Sequence, residues 1–165
     1  MVKSPPRESA PVALSLVDEL DRIYRKQATR MWRALTAYSG NRDLAQDAVA
    51  EAFAQAIARG TAIRSPERWV WKAAYRIAAG ELKKRTTQTN LHTDPPIEDG
   101  EPAWEIRFAL TQLPARQRAA VVLHYFAGYS ARDIARITES TPGAVWMSLS
   151  RGRQQLRRVL EADND

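Results

Sequence analysis

The chain has 165 residues, enough for one ordinary domain or two small helical ones with modest cores. A formal net charge of +6, carried mostly by arginine, favours a polyanionic partner, although basic surfaces also suit membranes and acidic proteins. No cysteine is present, which excludes disulfides, thiolate metal sites and cysteine nucleophiles and makes a reducing compartment the natural expectation.

Residues 1–13 are rich in proline, serine and charge and lack the apolar core of a secretory signal, so they are read as a disordered tail. No later stretch approaches the roughly 18 apolar residues of a membrane span, and a cytoplasmic protein is expected. Leu16, Leu20, Ile23, Tyr24, Met31, Leu35 and Tyr38 recur at spacings of three, four and seven, predicting a first long helix. A second is predicted from about Asp43 to Ala58. Its apolar side is Ala45, Val49, Ala52, Phe53 and Ala56, while Asp47 and Glu51 share the opposite face at i, i+4. Like charges at that spacing repel slightly. Such a pair belongs either to a plain solvated face or to a face that meets a basic partner.

A third helix opens at Ser65-Pro66-Glu67, where Ser suits the cap, Pro the first helical position and Glu the dipole, and it ends in Lys83-Lys84-Arg85. Val70, Ala73, Ala74 and Ile77 make its predicted core stripe. Trp71, Tyr75 and Leu82 form a second stripe, of which Trp71 and Tyr75 are read as core aromatics. Trp69, Lys72, Arg76 and Lys83 form a third that mixes aromatic and cationic groups, as an unpaired nucleic-acid strand requires. Gly80 weakens this helix by roughly 1 kcal/mol relative to Ala.

Residues 86–101, TTQTNLHTDPPIEDGE, combine polar residues, a Pro-Pro pair and four acidic side chains without Lys or Arg, and read as a linker. They serve either as a solvated spacer or as a segment that lies in a basic channel. Helices are then expected over 103–113 and 114–125, followed by two short elements separated by Thr138 to Thr141. Ser130 suits the cap of the first of these, with Asp133 at its third position. In the last helix Val145, Leu149, Gly152, Leu156 and Leu160 share one stripe, and Trp146, Met147, Ser150, Arg151 and Gln154 face away from it. This is either an ordinary helical hairpin or a helix-turn-helix with its second helix in a major groove and Arg153, Arg157 and Arg158 placed for phosphates. His92 and His124 stand far apart, and no metal site, glycine-rich phosphate loop, triad or paired-carboxylate arrangement is supported. No cofactor and no enzymatic activity are expected.

The segment GYSARDIARITESTPGAVWMSLSRGRQQLRRVL, preceded by Leu113-Pro114 and Arg118, resembles region 4 of the sigma-70 family, especially its extracytoplasmic-function (ECF) group. DLAQDAVAEAFAQAI and WVWKAAYRIAAGELKKR resemble the polymerase-binding and promoter-melting helices of region 2. The resemblance spans roughly residues 14 to 160. It implies an all-α fold of two small helical domains, 14–85 and 102–165, joined by a flexible acidic linker. It further implies an alternative sigma factor that binds core RNA polymerase through the clamp coiled coil and the flap, and that initiates transcription at selected promoters. The matching positions are Leu44, Asp47, Glu51 and Gln55 for the polymerase. They are Arg64, Arg68, Trp69, Lys72, Arg76 and Lys83 for the minus-ten element, and Thr141, Trp146, Met147, Ser148, Ser150, Arg151 and Arg153 for the minus-thirty-five element. An anti-sigma partner is implied by kinship alone.

The sequence departs from the family at several of these places. Arg76 and Gly80 stand where Asn and Asp are usual, Glu139 replaces a common Gly, and Trp146 and Ser148 replace common basic residues. These departures imply atypical promoter contacts. The competing readings are a sigma-like regulator or adaptor that does not itself initiate transcription, and a helical enzyme or RNA-binding domain with accidental similarity.

Overall fold

The structure is a computed structural model that describes residues 10–86 and 104–162. The expected tail and nearly all of the expected linker, with His92, lie outside the described residues. Seven α-helices are described: α1 (Ala10–Ser39), α2 (Arg42–Arg59), α3 (Pro66–Thr86), α4 (Trp104–Thr111), α5 (Ala115–Val121), α6 (Ala131–Ile137) and α7 (Pro142–Ala162). No strand occurs among the described residues, in keeping with the absence of any period-two pattern.

The helix ends follow local chemistry. α1 stops where Gly40 takes φ 69°, with its N–H on the Thr36 carbonyl at 2.7 Å. Asn41 then caps α2, its Oδ1 accepting the Leu44 N–H at 2.8 Å. Ser39 closes the same corner, its hydroxyl donating to the Asn41 carbonyl at 3.0 Å and accepting the Asn41 N–H at 3.1 Å. α2 ends at Gly60, whose N–H returns to Ala56, and one 3-10 turn leads to the Ile63–Ser65 loop and α3. After Leu113 the chain enters α5, which runs on through a π-turn over Val122–Phe126, with the Ala127 N–H on the Val122 carbonyl at 3.2 Å.

α1, α2 and α3 pack on one another, and α7 packs on α4, α5 and α6. The two halves share one continuous buried cluster, in which Met31, Leu35, Val70 and Trp71 join Leu110, Leu123, Ile134 and Leu149. α1 lies against α4 and the π-turn, and α3 lies against α6. Trp71 meets Tyr129 edge to face at 5.4 Å. This contact turns α3: Trp71, Ala78 and Leu82 are buried beside Val70 and Ala74, whereas Ala73 and Ile77 of the predicted core stripe are only half-buried. The inward face lies further round than α1 and α2 alone would set it, because the second half covers Trp71. The core reading of Trp71 is borne out, and Tyr75 stays half-buried against Tyr38.

Candidate nucleic-acid interface

α3 and the end of α2 form a groove lined by Gln55, Arg59, Trp69, Lys72, Ala73, Arg76 and Ile77. Three of the minus-ten residues expected from sequence, Trp69, Lys72 and Arg76, are thereby brought together. Arg59 was not anticipated. Its guanidinium lies 5.5 Å from the centre of the Trp69 ring, holding the indole as a cationic, flat platform. The available signal was a cation at the last turn of α2, directly before Gly60 and the loop that leads to α3. Arg64 is exposed on that loop, Arg68 is exposed in the first turn of α3, and Lys83 is exposed on the last turn, beyond the groove. A flat ring among several cations can stack a base and hold its backbone.

On α2, Asp47, Glu51 and Gln55 are exposed and follow one another at i, i+4. The Gln55 amide donates to Glu51 Oε1 at 2.8 Å, so Gln55 joins the acidic row on one side and the groove on the other. Leu44 does not belong with them: it is only 2% exposed and packs inward. Its period places it on the Ala48 and Ala52 side of the helix, so it shapes α2 from behind.

In the second half, Ser130 caps α6, accepting the Asp133 N–H at 3.2 Å while its hydroxyl donates to Asp133 Oδ2 at 2.8 Å. The turn into α7 is closed by the Ser140 N–H on the Ala135 carbonyl at 2.8 Å, with Glu139 at φ 53° between them. Thr141 starts α7, accepting the Ala144 N–H at 3.2 Å. Val145, Leu149 and Gly152 of α7 are buried, and Gly152 is there because an added Cβ would lie 2.8 Å from Val121 Cγ2. Trp146 and Met147, at 55% and 54% exposed, stand outward with Ser150 and Arg151. Arg153 is also exposed and donates to the Tyr125 hydroxyl at 3.0 Å. Ser148 differs from this set: it is half-buried in a cleft between the halves that Tyr75, Arg116 and Glu139 also line.

α1 makes polar contacts both within its own half, to α3, and across to the other half. Gln27, itself buried, donates to Glu67 at 2.7 Å, and Arg30 Nε donates to the Phe126 carbonyl at 3.4 Å. Burial raises the Tyr38, Tyr75 and Tyr129 hydroxyls above their ordinary value of 10.0, Tyr75 further through its neighbour Tyr38 and Tyr129 further through Glu67 and Asp133. His124 donates from Nδ1 to the Tyr129 carbonyl at 2.8 Å, matching a packed, hydrogen-bonded side chain. Among the described residues no three His, Asp or Glu side chains gather as a metal site would need, and no helix is long and apolar enough to cross a membrane.

Residues 103–156 match the family model described as "Sigma-70, region 4". The ECF RNA polymerase sigma factor SigM of Mycobacterium tuberculosis is 29% identical over 150 residues, covering 85% of this chain and 76% of the relative. The RNA polymerase sigma factor SigV of Bacillus subtilis is 27% identical over 143 residues, covering 81% of this chain and 86% of the relative. Among solved structures, the sigma factor RpoE of Bartonella quintana, in complex with the anti-sigma factor NepR, superposes with a TM-score of 0.68 at 21% identity, covering 91% of this chain and 96% of that one. CnrH, in complex with the cytosolic domain of CnrY, gives a TM-score of 0.72 at 17% identity, covering 93% of this chain and 95% of that one. Region 4 is thus matched over residues 103–156, relatives named as RNA polymerase sigma factors align along both halves at 27% and 29% identity, and the fold is shared with the solved structures, so the chain is similar to sigma-70 family factors, the ECF group among them.

Proposed function

We propose that this protein is an alternative sigma factor that binds core RNA polymerase in the cytoplasm, brings it to selected promoters and starts transcription there. The observation that carries the reading is the groove in which Arg59 backs Trp69 beside Lys72 and Arg76. Stacking on such a platform is worth about 1–3 kcal/mol per base, and extruding a base costs a few kcal/mol, so binding alone can hold an opened strand without nucleotide hydrolysis. Residues 14–85 are assigned to polymerase and minus-ten contacts, 102–165 to the minus-thirty-five element, and 86–101 to the connection between them. The exposed acidic row of Asp47 and Glu51, with Gln55, suits the basic side of the polymerase clamp; Leu44 supports it from the core. Trp146, Met147, Ser150 and Arg151 form the outward start of α7, where Arg151 supplies a groove or phosphate cation and Trp146 an apolar surface for a thymine methyl or a sugar. The chain contributes recognition and strand capture, and the bond-forming chemistry is the polymerase's. An anti-sigma factor is a fitting further partner, since RpoE is seen in complex with the anti-sigma factor NepR.

The deciding experiment is run-off transcription with purified chain and bacterial core polymerase on fragmented genomic DNA, with the transcripts sequenced. Transcripts that start from a small set of sites are expected. Polymerase binding without any transcript would identify the chain as a non-initiating adaptor.

A further inference from the structure

Glu139 holds a left-handed backbone, φ 53°, at the residue that closes α6. A side chain there is strained and glycine is the relaxed choice. The turn itself asks nothing of the carboxylate, because its closing bond runs from the Ser140 N–H to the Ala135 carbonyl. The carboxylate instead crosses to the other half of the protein and pairs with Arg76 of α3. Six residues earlier, in the first turn of α6, Asp133 Oδ1 lies 3.6 Å from Arg68 Nη2. Two cations of the proposed strand-binding face are therefore engaged by carboxylates of the helix-turn-helix half.

We propose that Glu139 and Asp133 form an intramolecular clasp that stands in for the phosphate backbone, occupying Arg76 and Arg68 until an unpaired strand displaces it. The inference rests on the proposed reading of the α3 groove as a strand-binding face. Both pairs are exposed enough for water and salt to reach them: Arg76 and Arg68 side chains are 48% and 47% exposed, and Glu139 is 69% exposed. Pairs of this kind contribute roughly two- to fivefold each to an equilibrium and weaken as ionic strength rises. That is the right size for a contact that DNA must replace. The clasp leaves α7 open, because Trp146, Met147, Ser150 and Arg151 point outward. Duplex contact through α7 is thus available while the cations of α3 are still engaged, which orders recognition before strand capture.

The test compares the full-length protein with E139Q, which removes the charge and keeps the strain, and E139G, which removes both. E161Q serves as control, since it deletes the same charge from the exposed end of α7. Labelled single-stranded oligothymidine is titrated and read by anisotropy at low and high salt. E139Q and E139G are expected to bind about two- to fivefold more tightly than E161Q at low salt, with the gap closing at high salt. E139G alone should also melt about 3 °C higher than E139Q. Because the chain has no cysteine, dyes at Q46C and R132C report the separation of the halves, and it should widen or become more variable on E139Q. Equal oligothymidine affinity for E139Q and E161Q, with wild-type binding intact, overturns the clasp and leaves the strand-binding reading standing. No binding by any of the proteins removes the strand-binding face itself, and the clasp with it.

Discussion

The Arg118 guanidinium donates to the main-chain carbonyl of Tyr38 at 3.2 Å, across 80 residues of sequence. Its second amino group donates to the Thr111 and Leu113 carbonyls at 3.1 and 3.0 Å. Arg118 is only 7% exposed, and burial lowers its pKa while the Tyr38 ring, 5.8 Å away, steadies the charge. Carbonyls at the ends of α1 and α4, which have no partner within their own helices, meet here on one fork of donors.

Arg118→Ala should therefore destabilise the fold by about 2–4 kcal/mol, since three carbonyls lose a charged donor at once. Arg118→Lys should recover only part, because an ammonium has no planar fork. Urea unfolding measures both, and a wild-type midpoint for Arg118→Ala would refute this account of the junction.

Alkaline stability should be governed by the tyrosines at the same junction. Tyr38, Tyr75 and Tyr129 have folded pKa values above the ordinary 10.0, so the unfolded chain releases these protons first as pH rises. Their contribution is full below pH 10.0 and is lost above it. The urea midpoint should show no loss from these groups between pH 7 and 9 and should then fall, with a shallower fall in Tyr75→Phe. A midpoint that holds through pH 11 would contradict this.

Reversing the acidic row of α2 should separate partner binding from folding. Asp47→Lys and Glu51→Lys lie on an exposed face, so stability should stay within about 0.5 kcal/mol of wild type. Affinity for core polymerase should fall about tenfold or more for either change. Undiminished binding by both variants would place the polymerase interface elsewhere.

Two glycines of the long helices, Gly80 in α3 and Gly152 in α7, should respond oppositely to alanine. Gly80 has no atom within 4 Å of an added Cβ, so Gly80→Ala should stabilise by about 1 kcal/mol. At Gly152 the added Cβ would press on Val121 Cγ2 in the core, and overpacking of about 1–3 kcal/mol should cancel or exceed the helical gain. Thermal melting of the pair checks both signs.

Helix positions and most faces were legible because a 3.6-residue period and cap residues are local properties: Pro66 and Ser130 mark starts that need no knowledge of the rest of the chain. What sits on each face was less legible. Sequence places Leu44 one step from the acidic row, yet its side chain belongs to the core. Ser148 follows the outward Trp146 and Met147 but turns into the cleft beside Tyr75. Arg59 gains meaning only when α2 and α3 are seen side by side. The engagement of Arg76 by Glu139 spans 63 residues and both halves, and no periodicity encodes which element will cover which. The two residues were visible as departures from family habit, but their pairing was not.

The corner between α1 and α2 carries a mechanical meaning. Gly40 and Asn41 are its only residues outside the two helices, and Ser39 and Asn41 tie it from within. A joint this short leaves α2 little room to swing on α1, against which α3 is also packed. On the proposed reading, whatever grips the acidic row of α2 also sets where the Trp69 platform stands. The corner behaves as a jig, fixing the spacing between enzyme and captured base before any DNA arrives.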